Sequence, residues 1–242
     1  MSAALALEPA RLAALSTRFE EASTQDVLRW AVESFAPGRL ALVSAFGPTS
    51  SVILHLLQDI APDLPVVFVD TLHHFPETLQ HVEAMRRRFG LNLQVYRPAA
   101  TRADFEARYG PRLWERDLDL YQQVSKVEPF RRATEGLDAW LTGRRREQSE
   151  TRCELPVVET GVRIKVNPLA GWSRKQVWHH ILEHQLPYNP LHDLGYASIG
   201  DEPLTTPVHD GEHERAGRWR GTGKLECGIH LLDHTPEQAA AD

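Results

Sequence analysis

Leu40-Ala41-Leu42-Val43-Ser44-Ala45-Phe46-Gly47-Pro48-Thr49-Ser50-Ser51 is the stretch that decides the fold. Its first four residues form an unbroken apolar run, too short for a helix, and read as a buried strand. A turn of small residues follows, and a helix is expected from about Ser50 to Gln58. Gly47 lets the backbone approach a ligand closely, and the start of a helix points free N–H groups at it. The hydroxyls of Ser44, Ser50 and Ser51 add hydrogen bonds, so this turn suits a phosphate or sulfate group. Phe46 belongs to the same turn. The Gly-Lys-Ser/Thr of a Walker loop is missing. The same residues also suit an ordinary strand-to-helix turn with Ser/Thr capping.

Outward from this unit the pattern repeats. Val66 to Val69 reads as a second strand ending at Asp70-Thr71, with Pro76 in the first turn of a helix running from Glu77 to Phe89. Leu93 to Tyr96, Ala139 to Thr142 and Val162 to Val166 are further strands. Strands alternating with helices predict an α/β fold, a mostly parallel sheet with helices on both faces. Residues 1–36 form an N-terminal helical segment, with Leu12, Leu15, Phe19, Val27, Trp30 and Ala31 at helical spacing, ended by Pro37-Gly38. Residues 37–206 form the α/β domain. Residues 207–242, rich in charge and glycine, form a mobile C-terminal arm.

The chain has 242 residues, 42% hydrophobic and 25% charged, which fits one α/β domain with small appendages. A net charge of −6 gives no global field for nucleic acid, so no nucleic-acid partner is expected. No apolar run reaches a membrane span. Glu8, Arg11, Arg18, Glu20 and Glu21 interrupt any signal-like start, so a cytoplasmic location without membrane contact is expected. Cys153 and Cys227 are the only cysteines, too few for a four-cysteine iron–sulfur cluster or zinc site.

Four places carry chemistry. The first is the turn after Leu40–Val43. The second is Asp70 to Glu77, at the carboxyl edge where open α/β sheets bind ligands. It contains His73-His74, but adjacent residues on an extended segment face opposite ways, so no metal is expected there. The third is Gly143-Arg144-Arg145-Arg146-Glu147-Gln148-Ser149, with Arg152 beyond it. Guanidinium forks bind phosphate bidentately, and this run follows a strand, so Arg145, Arg146 and Gln148 are candidate ligand contacts. Lys126, Lys165, Arg215 and Arg218 are further candidate anion contacts. The fourth is Cys227, with Gly228 keeping its approach open and His230 as a partner. Nearby cations make such a thiol a nucleophile.

Together these pieces resemble the PAPS (phosphoadenylyl-sulfate) and APS (adenylyl-sulfate) reductase family. The resemblance runs from about Leu40 to His230. Its motifs are Ser44-Ala45-Phe46-Gly47, Asp70-Thr71 with Phe75-Pro76-Glu77-Thr78, Lys126-Val127-Glu128-Pro129, Arg145-Arg146-Glu147-Gln148-Ser149, Tyr188-Asn189-Pro190-Leu191-His192 and Glu226-Cys227-Gly228-Ile229-His230. It implies a Rossmann-like, adenine nucleotide α-hydrolase-like fold. It also implies that the Cys227 thiolate attacks the sulfur of a bound sulfonucleotide in assimilatory sulfate reduction. Adenosine 3′,5′-bisphosphate then leaves, an S-sulfocysteine forms, and thioredoxin or glutaredoxin releases sulfite. A thiolate meeting a sulfated phosphate is repelled unless cations neutralise the substrate. Arg145, Arg146, Lys126, Arg215 and Arg218 are candidates for that work.

The APS-using branch carries a four-iron cluster on a Cys-Cys pair and a later Cys-x-x-Cys. The matching positions here are Tyr121-Gln122 and Asp201-Glu202-Pro203-Leu204, so the resemblance implies the cluster-free, PAPS-using branch, which is often homodimeric. Tyr188 to Ile199 and His213 to Trp219 resemble the APS branch more closely, which keeps a cluster-free APS reductase as an alternative. An adenylating enzyme with a pyrophosphatase-type loop is a second alternative, although its Ser-Gly-Gly-x-Asp-Ser is absent. A nucleotide-binding regulator is the non-enzymatic one.

Overall fold

The computed structural model describes residues 9–224 and 228–229. Six strands form one sheet in the order β3-β2-β1-β4-β6-β5. They are β1 (Leu40–Val43), β2 (Val66–Val69), β3 (Leu93–Tyr96), β4 (Ala139–Leu141), β5 (Val158–Glu159) and β6 (Ile164–Val166). All neighbours pair parallel except β5 with β6, which pair antiparallel. The register sets Leu42 against Val66 on one side and Ala41 against Trp140 on the other. From β1 the chain builds outward through β2 and β3, then crosses back to lay β4 on the other side of β1. That reversal is a topological switch point, and the crevice outside its carboxyl ends is where such sheets hold ligands.

Alternation along each strand divides the core between two faces. Leu40, Leu42, Val66, Phe68, Ala139 and Leu141 face the larger layer. It is supplied by α1 (Pro9–Phe19), α2 (Thr24–Ser34), α3 (Pro48–Leu57), α4 (Pro76–Phe89) and α9 (Arg174–Glu183). Val52, Ile53, Leu54 and Leu57 put α3 in the middle of that layer. Ala41 and Val67 face the other way, against Ala133 of α8 (Glu128–Ala133), and Phe130 meets Trp140 edge-on at 5.0 Å. In a separate cluster, α5 (Arg102–Tyr109), α6 (Leu113–Arg116) and α7 (Leu118–Gln122) bury Phe105, Leu113 and Tyr121 together.

The N-terminal segment is two helices rather than one. Ser23 caps α2 by accepting from Asp26 N–H at 3.1 Å, and the intervening turn ends α1. Between α7 and α8 the helix widens over Gln123–Val127, a π-type turn that carries Lys126. Such bulges are frequent at functional sites. The fifth expected strand begins later, at Ile164, because Val162 lies in the exposed turn of the β5–β6 hairpin. Two-residue β5 is too short to show any period in sequence.

Residues 187–224 are loop-rich as expected, but they are fastened to the body. Glu202 N–H donates to the His73 carbonyl (2.8 Å), Thr206 N–H to Gly217 (2.9 Å) and Trp219 N–H to Leu204 (2.9 Å). Trp219 is buried. Among the described residues no helix is long and apolar enough to cross a membrane.

Candidate active site at the carboxyl edge of the sheet

A crevice opens where β1 and β4 end. Ser44, Ala45, Gly47, Pro48, Thr49 and Ser50 form one wall, after β1; Thr142, Gly143, Arg144, Arg145 and Gln148 form another, after β4. Thr71 and His74 arrive from β2, Lys126 from the π-type turn, and Arg174, Val177 and Trp178 from α9. The C-terminal stretch closes it with Ser198 to Gly200, Glu214, Arg215, Arg218, Trp219 and Ile229. Seven cations line this space (Lys126, Arg144, Arg145, Arg152, Arg174, Arg215, Arg218) against one carboxylate, Glu214, among the described residues. A chain with net charge −6 thus concentrates positive charge at one rim. A low-dielectric crevice strengthens that field.

The loop after β1 is braced from within. Ser44 Oγ accepts from Phe46 N–H at 2.9 Å. Phe46 takes φ +55°, a left-handed conformation uncommon outside glycine. Its ring is buried and meets Phe68 edge-on at 5.5 Å, so the strained turn is anchored by core packing. Pro48 opens α3, whose first turn presents Thr49 and Ser50 to the crevice. The β4 loop passes so close that a Cβ on Gly143 would lie 2.5 Å from Thr49 Oγ1.

Lys126 Nζ lies 2.8 Å from Asp201 Oδ2, and Thr71 Oγ1 donates to Asp201 Oδ1 at 2.7 Å. Burial alone would raise the Asp201 pKa. The Lys126 ammonium, nearby His74 and these hydrogen bonds outweigh it and hold the carboxyl below its usual range. Tyr121 is pushed far above the usual phenol range, first by burial and then by Asp201. Arg145 is buried, with Nη2 2.7 Å from Glu214 and Nη1 3.3 Å from the Trp172 carbonyl. Arg215 and Arg218 sit over the Trp219 ring at 5.4 and 4.5 Å.

Of the sequence-predicted contacts, Ser44, Gly47, Ser50, Thr71, Lys126, Arg145, Gln148, Arg215 and Arg218 meet in the crevice. Five do not line it. Arg146 turns away, its guanidinium bound to Glu20 at 2.6 and 2.9 Å and to the Leu155 carbonyl. Lys165 lies on the strand side of β6, over the Trp140 ring at 5.7 Å, and lines a separate cavity with Arg146. Asp70 accepts from Leu72 N–H and from Arg97 Nε, which fixes the turn after β2. Ser51 is fully buried and donates to the Pro187 carbonyl at 2.8 Å. Phe46 serves the core, as above. Cys227 and His230 lie outside the described residues. Their neighbour Ile229 lines the crevice, and Gly228 has φ +78°.

His73 and His74 are engaged separately. His73 packs among Phe105, Trp114 and Tyr121, and His74 stacks on Phe68. Sequence reasoning missed Thr49, Arg174, Trp178, Trp219 and the buried Asp201. Only Thr49, inside the quoted loop, carried a local signal.

Structural comparison finds a crystal structure of PAPS reductase from Candida auris, a phosphate complex. It is 39% identical with a TM-score of 0.77, over 84% of this chain and 99% of that one. FMN adenylyltransferase from Candida glabrata shares the fold at 18% identity and a TM-score of 0.55. The fold is therefore an adenine nucleotide α-hydrolase-like α/β sheet. A family model, the phosphoadenosine phosphosulfate reductase domain, matches residues 39–207. A phosphoadenosine 5′-phosphosulfate reductase of Gloeobacter violaceus is 44% identical over 94% of this chain and 96% of its own length. A phosphoadenosine phosphosulfate reductase of Emericella nidulans is 44% identical over 89% of this chain and 74% of its own. The chain belongs to the phosphoadenosine phosphosulfate reductase family.

Proposed function

We propose that this chain reduces PAPS to sulfite and adenosine 3′,5′-bisphosphate. The observation that carries the reading is the cation-lined crevice at the switch point, with Ile229 on its rim two residues beyond Cys227. The Cys227 thiolate attacks the sulfur of PAPS. The new S–S bond forms as the sulfur–oxygen bond to the nucleotide phosphate breaks, and the bisphosphate leaves. A thiolate of thioredoxin or glutaredoxin then attacks Cys227 Sγ and releases sulfite. The resulting mixed disulfide is resolved by the second thiol of the reductant.

The nucleotide is held by the Ser44–Ser50 loop, and its anionic groups by Lys126, Arg145, Arg215 and Arg218, with Gln148 and Thr71 beside them. Cation clamps of this kind act where charge develops in the transition state. Residues 207–242 act as the arm that carries Cys227, with His230 as its partner. The work is done without an iron–sulfur cluster. Two cysteines cannot supply four ligands; at the cluster-ligand positions by resemblance, Tyr121 is a buried phenol and Asp201 is committed to Lys126 and Thr71. A cytoplasmic homodimer is the setting proposed.

Intact-protein mass after mixing with PAPS and no reductant tests the reading. A sulfite-sized gain is expected, absent in Cys227→Ser. Full turnover by Cys227→Ser would instead favour an adenylating reaction on the shared fold. The resemblance of Tyr188 to Ile199 to the APS branch supports a cluster-free APS reductase as a second reading. Competition between PAPS and APS in one assay decides between them by their specificity constants.

A further inference from the structure

Away from the crevice, three imidazoles converge where α3 packs on α9. His55 lies in the last turn of α3, His180 in the last turn of α9, and His184 is the residue that caps the C-terminus of α9. His55 Nδ1 and His180 Nε2 are 3.0 Å apart, and one nitrogen from each of the three rings falls within 4.8 Å of the others. Ring centroids are separated by 5.1, 4.6 and 4.3 Å. Trp172 meets His180 edge-to-face at 5.8 Å, while His184 is exposed to solvent.

We propose that His55, His180 and His184 form a binding site for a borderline divalent ion, Zn²⁺ in the first place, which staples α3 to α9. The 3.0 Å contact between two imidazoles requires at least one of them to offer a neutral lone pair, which is the form that binds metal. Nitrogens around a tetrahedral zinc lie about 3.3 Å apart at the usual bond length, so small side-chain rotations bring this set to coordination distance. His180 and His184 are four residues apart across the end of α9, and their rings lie 4.3 Å apart between centroids, so both can reach one ion with His55. Imidazole donors suit zinc, copper and nickel and exclude magnesium and calcium. Asp59, close enough to His55 to act on its charge, adds negative potential, and Arg88 partly offsets it. The fourth position faces solvent through His184 and takes water. Both helices wall the crevice, α3 through Thr49 and Ser50 and α9 through Arg174, Val177 and Trp178, so the ion ties two sides of the site together.

The test uses the full chain without an affinity tag, stripped with chelator, then titrated with Zn²⁺ and with Co²⁺. One equivalent is expected to bind, with a rise in Tm that grows with free Zn²⁺. The Co²⁺ spectrum should lack a thiolate charge-transfer band, which separates this site from Cys153 and Cys227. Exposed His184→Ala, which leaves the core intact, and His55→Gln should each weaken binding by at least about tenfold. Unchanged affinity in both variants, a thiolate band, or no saturable binding would overturn the proposal.

Discussion

The Lys126 ammonium and the Asp201 carboxylate lie 2.8 Å apart with side chains only 8% and 0% exposed. Thr71 completes the carboxylate and Tyr121 packs beside it, so a helix bulge, the turn after β2 and the C-terminal loops meet at one buried charge pair.

Breaking this pair leaves one charge buried without its partner, which costs about 3–5 kcal/mol. Asp201→Ala is expected to lose stability of that order in urea unfolding. The double variant Lys126→Met with Asp201→Leu should recover much of it, because removing both charges removes the desolvation cost. Sulfite formation should stay low in the double variant, since Lys126 also faces the crevice. Full activity in a stable double variant would reduce the pair to a structural role.

Adjacent arginines make a sharper contrast. Arg145 is buried at the crevice beside Glu214, whereas Arg146 binds Glu20 on α1. Arg145→Lys forfeits the guanidinium fork and should raise the KM for PAPS on the order of tenfold, about 1.4 kcal/mol. Arg146→Ala should leave KM within about twofold and change stability by no more than about 1 kcal/mol, because its ion pair is partly exposed. Steady-state kinetics of the two variants side by side checks both.

That contrast marks the limit of what the sequence alone discloses. The strand–turn–helix unit from Leu40 to Ser51 and the strands through Leu141 follow from hydrophobic runs and turn residues, which are local signals. Facing direction within Arg144-Arg145-Arg146 is set by what lies across the fold, Glu159, Glu214 and Glu20 in turn. No local pattern encodes it. Asp201 is likewise invisible in sequence because its partners are Lys126 and Thr71, 75 and 130 residues away. Lys165 reads in sequence as a further anion contact, but its strand lies beyond β4, on the far side from β1.

Two histidines, one of them bonded to the loop after β1, give a pH dependence. Burial, and then His192, push His81 down to about 4, against a hydrogen bond with the Phe46 backbone. Burial pushes His192 down to about 4 as well, with Arg174 adding to it and the Tyr196 carbonyl and Asp193 opposing. Both bind fewer protons folded than unfolded, so stability is full above the ordinary histidine pKa of about 6.5 and falls as pH drops from there toward 4. At about 1.4 kcal/mol per unit, each contributes a loss of a few kcal/mol across that window. Urea midpoints measured from pH 7 to 4 should fall, and His81→Gln should flatten the slope whatever it does to stability at pH 7. An unchanged slope would show that His81 does not titrate there.

Gly217 holds the arginine-bearing loop in place through a close approach that no other residue permits. A Cβ at this position would lie 2.0 Å from the Thr206 carbonyl oxygen, which is backbone and unable to swing aside. The same pair of residues is joined by the Thr206 N–H to Gly217 C=O bond, and Thr205 bridges Arg218 next to it. Gly217→Ala therefore pushes apart the two strands of chain that present Arg215, Arg218 and Trp219 to the crevice. A stability loss of about 1–3 kcal/mol is expected from the forced shift. The kinetic effect should fall mainly on substrate capture, as a raised KM for PAPS, because the displaced groups are cations lining the crevice proposed to hold the nucleotide. Alkylation of Cys227 by iodoacetamide without nucleotide should change little by comparison. A variant with normal KM and normal unfolding would mean that the loop relaxes around the added methyl, and that the tight approach does not position these arginines.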